Sequence, residues 1–284
     1  MTGSTKYHCL IAGLPDLDLA SRKAWISLKD FRTQIEQELH PDDFEQVRLL
    51  LLKLDNEHLV DFVEHGSFNR MEASNFSRED FRQQVEQFDA ILPEGDLLPR
   101  YMVDVLRQYR QPETHPDRVE VETLVADLYF DHVMEHGNNF LKDYTVFEYN
   151  MANLLAYVEA GNHATDPWKF IAGDTTFVRN LHEDGSLTMA ASAGFEMFNE
   201  ITCYAELPHL ADKEMRYDEV RWRIIEEMVF FDEFTVNTVL AYLLKLILIE
   251  RWTGLEKGTG EEKLRGMVEE ARRSSMERMK ELIQ

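Results

Sequence analysis

An all-α fold follows from three features of the chain. Apolar residues recur at helical spacing along most of its length, strand and hairpin signals are poor, and one helical phrase occurs three times. The phrase runs Asp55–Gly66, then Glu148–Gly161 at an offset of 95, where both copies share apolar-apolar-x-aromatic-Val-Glu-x-Gly. Asn237–Leu244 repeats Leu-Ala-Tyr a further 85 residues on. Self-similarity at long spacing predicts a fold built by duplicating a helical unit, which suits a scaffold or assembly part better than a pocket built around one reaction.

The elements follow in order. A helix is predicted over Lys29–Leu39. Pro41 then suits a first helical position, and Asp42 and Asp43 complement the positive end of the helix dipole. Phe44, Val47, Leu50, Leu51, Leu54, Leu59, Phe62 and Val63 continue the stripe, and Gly66 offers a left-handed cap. Ser77-Arg78-Glu79-Asp80 reads as a capping box with Asp in place of Glu, leading into Phe81, Val85 and Phe88. Pro93-Glu94-Gly95 breaks the chain, Leu98–Tyr109 resumes a helix, and Gln111–Asp117, with Pro112 and Pro116, reads as a linker.

Val119–His136 and Phe140–Ala160 read as long helices separated by Gly137-Asn138-Asn139, with a turn at Asn162–Trp168. Thr176–Asn180, Met189–Tyr204 and Tyr217–Phe231 are further helical stretches. Phe234–Trp252 and Glu261–Leu282 close the chain on either side of a turn at Gly254–Gly260, the last helix strongly charged on one face. Asp184-Gly185 has no strand-like flanks, so it signals no hairpin. The expectation is one all-helical protein over residues 1–284, divisible into sub-units 1–110, 117–205 and 211–284.

With 284 residues, the chain is long enough to bury roughly three quarters of its unfolded surface. Its 53 acidic against 30 basic residues give a formal net charge of −23, which repels phosphate backbones and anionic lipid headgroups. Nucleic acid is therefore not an expected partner, whereas a basic protein is. Cys9 and Cys203 are too few for a disulfide framework. Met1–Lys6 is polar and Tyr7–Leu14 is too short for a signal peptide. Phe234–Ile249 falls short of a bilayer span and reads as a buried core helix, so a cytoplasmic protein without a direct membrane span is expected.

His132-Val133-Met134-Glu135-His136 is the pattern closest to chemistry. Histidines at i and i+4 share a helix face and could both reach a zinc ion, with Glu135 as a general base. A third ligand is not marked by its surroundings, and a histidine beside Gly137 also suits a helix C-terminus. A metal-dependent hydrolase using His132, Glu135 and His136 is the weaker alternative. His58 and His65, two turns apart, lack a third ligand as well. Ala172-Gly173-Asp174 and Gly254–Gly260 match no phosphate-binding loop, and Ser192-Ala193-Gly194 lacks the leading glycine of a nucleophile elbow. Tyr129, Phe130, Tyr144, Phe147, Tyr149 and Tyr157 read as core and helix–helix contacts. No catalytic, cofactor-binding or metal residue is assigned, and no cofactor is expected.

Several motifs together resemble one family. They are Tyr7–Leu17, Gly137-Asn138-Asn139-Phe140 with Phe147-Glu148-Tyr149-Asn150, Phe230–Thr235, Leu243–Leu246 and Ile249–Trp252. The resemblance runs from near the N-terminus to about Ala271, and the family is a bacterial one encoded in V-type ATPase operons. That setting implies a likeness to the C-type socket of V-type ATPases (d-type in eukaryotes). The socket is all-helical, built as a three-fold pseudo-repeat, and joins the central stalk to the membrane rotor ring. Asn153-Leu154-Leu155 with Gly161, and Leu240–Lys245 with Glu250-Arg251, echo its repeats. The chain is shorter than a typical C-type socket, and Ala156 and Tyr157 replace the basic residues usual after Asn-Leu.

The resemblance implies a non-catalytic coupling component, peripheral to the inner membrane through its partners in the stalk and rotor ring. A helical scaffold or assembly factor outside the rotor is the alternative.

Overall fold

A computed structural model describes residues 6–69, 73–90, 95–110, 117–187 and 195–257. Among these the architecture is all-helical; an isolated antiparallel bridge joins Asp18 to Lys23, and no strand occurs. The helices are α1 (His8–Ala12), α2 (Leu28–Glu38), α3 (Pro41–His65), α4 (Arg78–Gln87), α5 (Arg100–Gln108) and α6 (Arg118–His136). They continue as α7 (Asn139–Asn162), α8 (Thr176–Asp184), α9 (Phe198–Ala205), α10 (Leu210–Met228) and α11 (Val236–Lys257), with a short 3-10 turn at Pro167–Lys169.

Local chemistry sets many of the boundaries. α3 opens on Pro41, its N-terminal amides capped by the His40 ring accepting from Asp42 N, and closes on Gly66 at φ +66°. Ser77 and Asp80 form both halves of the capping box that starts α4. Asn138 caps α7 by accepting from Leu141 N, so Asn139 is already helical and the break after α6 is only Gly137-Asn138.

Other boundaries differ from expectation. α8 continues past Asn180 to Asp184, where Gly185 at φ +63° supplies the left-handed cap. α10 starts at Leu210 instead of Tyr217 and stops at Met228 instead of Phe231. The expected turn at Gly254–Gly260 is helical as far as Lys257, since a glycine inside a helix costs only about 1 kcal/mol relative to alanine. Within the expected Met189–Tyr204 helix, residues 195–197 are described and not helical, and α9 begins at Phe198. Pro93-Glu94, Gln111–Pro116, Ser192-Ala193-Gly194 and the Glu261–Leu282 helix lie outside the described residues.

The described residues divide into two compact units, one drawn from Met1–Glu38 and Trp222–Gln284, the other from Leu39–Arg221. In the larger unit α3 packs on α5 and α6, α6 on α7, and α7 on α8 and α9. Val47, Leu51, Leu59, Met102, Val103, Met151, Leu154 and Ile201 are fully buried at its core.

In the smaller unit α2 packs on α11, with the Phe31 ring 4.9 Å from Tyr242. Leu28 N donates to Glu250 Oε1 at 2.5 Å, Tyr242 Oη to the Pro15 carbonyl at 3.1 Å, and Thr253 Oγ1 to the Arg22 carbonyl at 3.0 Å. Leu240, Leu243, Leu246 and Ile249 have no exposed surface, as expected of a core helix. No helix among the described residues is long and apolar enough to cross a membrane.

The three related segments occupy different places in their helices. Asp55–Gly66 ends α3 on its capping glycine, and in Glu148–Gly161 the glycine is still helical, because α7 runs on to Asn162. Asn237–Leu244 opens α11 instead of closing it.

Candidate functional site

His132 and His136 share one face of α6, as their spacing predicts, with ring centroids 4.6 Å apart. They line a cleft of about 370 Å³ with Glu45, Arg48, Leu49, Leu52, Asn75 and Phe76. Its wall is braced by Gln46, which donates to the His136 carbonyl at 3.4 Å and accepts from Asn138 N at 2.7 Å. His132 is half-buried, 5.3 Å from the Tyr101 ring. Burial, then the neighbouring His136, lowers its pKa below that of a free imidazole. Glu135 is largely in solvent, and its carboxylate comes no nearer than 3.6 Å to His136 Nε2.

Among the described residues, the three ligating groups that converge within 4.8 Å are Asp61, Glu64 and His65, not His132, Glu135 and His136. A cation already sits there. Arg118 Nη1 donates to Asp61 at 3.1 Å and to Glu64 at 2.5 Å, and its Nε donates to Glu122 at 2.7 Å. His58 and His65 diverge: His58 is buried and stacked on Phe68 at 4.3 Å, whereas His65 is exposed at the end of α3.

The most developed polar constellation lies elsewhere in the larger unit, around Glu148 on α7. Its carboxylate is 13% exposed and accepts from Arg221 Nε at 2.8 Å, Tyr144 Oη at 3.1 Å and Lys53 Nζ at 3.4 Å. Arg221 Nη1 donates in turn to Asp218, which has no exposed surface, at 3.0 Å. Three helices thus meet at one anion: α3 through Lys53, α7 through Glu148 and Tyr144, and α10 through Asp218 and Arg221.

Burial alone would raise the Glu148 pKa. The charges of Arg221 and Lys53, with the hydrogen bonds from Arg221 and Tyr144, outweigh it and hold the carboxyl at about 2. The same carboxylate pushes the Tyr144 phenol further up than its burial alone does. Chemically this is a latch: a carboxylate kept ionised and saturated with donors binds helices together and offers little to a substrate.

A second brace involves Asn153, the start of the Asn-Leu motif. Its amide pairs with both backbone groups of Ala172, donating to the carbonyl at 2.8 Å and accepting from the N–H at 3.0 Å. The next residue, Gly173, has φ +79° and donates to Asp127 Oδ1 at 2.6 Å. A Cβ there would lie 2.6 Å from Tyr149 Cδ1 and 3.0 Å from Phe130 Cδ2. Ala172-Gly173-Asp174 is therefore a packing turn against α6 and α7. The aromatic residues around it behave as the sequence predicts: Phe130 meets Tyr149 at 5.0 Å, and the Tyr149 and Tyr129 hydroxyls donate to the Ala126 and Leu49 carbonyls.

These features define a protein that is all-helical among its described residues and whose Glu148 and Asn153 side chains join its own helices and turns. Residues 4–275 match the model of the family described as "Protein of unknown function (DUF2764)", and the chain belongs to that family. No curated protein matches it. The family description assigns no activity, so the rotary-ATPase association and the likeness to the C-type socket rest on the sequence resemblance alone.

Proposed function

We propose that the chain is a non-catalytic coupling component of a V-type rotary ATPase, a socket between the central stalk and the membrane rotor ring. The observation that carries this reading is the Glu148 latch. A part that transmits torque must resist sliding of its helices past one another, and a buried charge shared by three helices penalises such sliding. Shifting α10 by one turn, about 5.4 Å, would separate Arg221 from Glu148 and leave the desolvated carboxylate without its nearest cation, with Lys53 at 3.4 Å as the remaining counter-charge. The resemblance of Tyr7–Leu17, Phe147–Asn150 and Phe230–Thr235 to a family encoded in V-type ATPase operons supplies the setting. The net charge of −23 suits association with basic loops of a neighbouring protein in the complex.

Co-purification tests the reading. A tagged chain expressed in its source cells and extracted in mild detergent is expected to recover central-stalk and rotor-ring proteins. Recovery of neither ends the rotary proposal. Metal analysis of the same preparation addresses the hydrolase alternative, which predicts near-stoichiometric zinc or iron removed by His136→Ala.

A further inference from the structure

Phe230 and Phe231 are 74% and 90% exposed, in the turn between α10 and α11 of the smaller unit. Their rings stand perpendicular, with centroids 4.9 Å apart. Isolated exposed apolar side chains are ordinary, but two adjacent phenylalanines presented together are an anchor of the kind that dominates protein–protein hot spots.

The turn that presents them is fixed from both sides. Tyr7 N donates to the Phe234 carbonyl at 2.7 Å and Lys6 Nζ to the Glu233 carbonyl at 2.6 Å. The His8 ring lies 4.5 Å from Phe234, whose backbone holds φ +59°, a conformation non-glycine residues rarely adopt. Asn237 Nδ2 donates to Asp232 Oδ2 at 2.6 Å, and Thr238 Oγ1 donates to the Asp232 carbonyl at 2.5 Å. A turn held this firmly loses little conformational freedom when its side chains dock.

Charge indicates what docks there. Three cations of the same unit have partners within it: Lys245 pairs with Glu226 at 2.8 Å, Arg223 lies 3.9 Å from Glu227, and Lys6 donates to the Glu233 carbonyl. Asp232 and the exposed Glu233 directly follow the two rings, on a chain of net charge −23. Such a surface repels an anionic bilayer and a second copy of itself, and attracts a basic one.

We infer that Phe230 and Phe231 form a docking knob that enters an apolar pocket, rimmed by Lys or Arg, on another protein. The inference does not depend on the rotary reading. Photocrosslinking tests it: Phe231→benzoylphenylalanine in the full chain, irradiated in the source cells, followed by sequencing of the adduct. The expected adduct is an apolar peptide flanked by Lys or Arg on a different protein. An adduct to lipid, to a second copy, or at a yield no higher than from the exposed position Glu36 overturns the knob.

Against the identified partner, Phe231→Ala is expected to raise the Kd on the order of 30-fold. Phe231→Leu, which keeps an apolar side chain at the site, gives a smaller rise and guards against a misfolded Ala variant. Vesicles of phosphatidylcholine and phosphatidylglycerol are expected not to float with the protein; flotation abolished by F230A/F231A contradicts the inference. A stalk or rotor-ring protein as the adduct supports both proposals. A basic-rimmed protein outside the ATPase supports the knob and contradicts the rotary reading.

Discussion

The Glu148 latch and the Phe230–Phe231 turn invert the usual placement of residue types. In the larger unit, two carboxylates and a guanidinium are withdrawn from water; in the smaller unit, two phenylalanines are left in it. Each placement is unfavourable by itself, and each is held by fixed geometry. Desolvated charges are tolerated because every one meets a partner, and the exposed rings are tolerated because the turn beneath them is hydrogen-bonded from both flanks. The difference separates two jobs: the latch determines whether helices can move, whereas the turn determines what the surface can meet. Mutations should therefore divide cleanly into those that change stability and those that change association.

The largest expected loss of stability comes from removing one side of the latch. Arg221→Met should destabilise the larger unit by roughly 3–5 kcal/mol in denaturant unfolding, because Glu148 and Asp218 stay buried and both lose the guanidinium that joins them. A loss below about 1 kcal/mol would place the cluster among ordinary surface ion pairs. Gly173→Ala should cost more than about 2 kcal/mol, since its positive φ and the Tyr149 contact leave no room for a methyl group. Acid unfolding follows from the sign of the Glu148 shift. A folded carboxyl held at about 2 binds fewer protons than its unfolded counterpart near 4.5, so its stabilisation is complete above about pH 4.5 and is lost as the pH falls towards 2. Arg221→Met should flatten that limb.

Arg118→Gln sharpens the comparison with a smaller effect. Its guanidinium meets three carboxylates, yet its side chain is 39% exposed, so the expected loss is about 1 kcal/mol or less. The smallest change in stability belongs to F230A/F231A, within about 0.5 kcal/mol of the parent, while association with the partner fails.

What the sequence made legible was local. Pro41, Gly66, Ser77 with Asp80, and the break at Gly137 act within a few residues, and their structural roles match the patterns that predict them. Leu210–Arg216 carries too few apolar residues to display a period, so the start of α10 was hidden. Gly185 was a readable cap for α8 that the short Thr176–Asn180 stripe did not reach.

The latch was invisible for a different reason. Lys53 and Arg221 lie 95 and 73 residues from Glu148, and nothing in one sequence singles out a pair among 53 carboxylates and 30 basic residues. His132 and His136 show the opposite limit, since spacing correctly placed both on one face but could not supply a third ligand. Asn153, noted in the sequence only as part of the Asn-Leu motif of the resemblance, proves to be a fixing residue of α7.

Coupling itself is the central claim, and membrane vesicles test it most directly. ATP hydrolysis and ion pumping would be measured side by side in vesicles from cells with and without the gene, and after its restoration. The account predicts that vesicles lacking the chain still hydrolyse ATP but do not pump, and that restoring the chain restores pumping. Pumping that proceeds unchanged without the chain would contradict it.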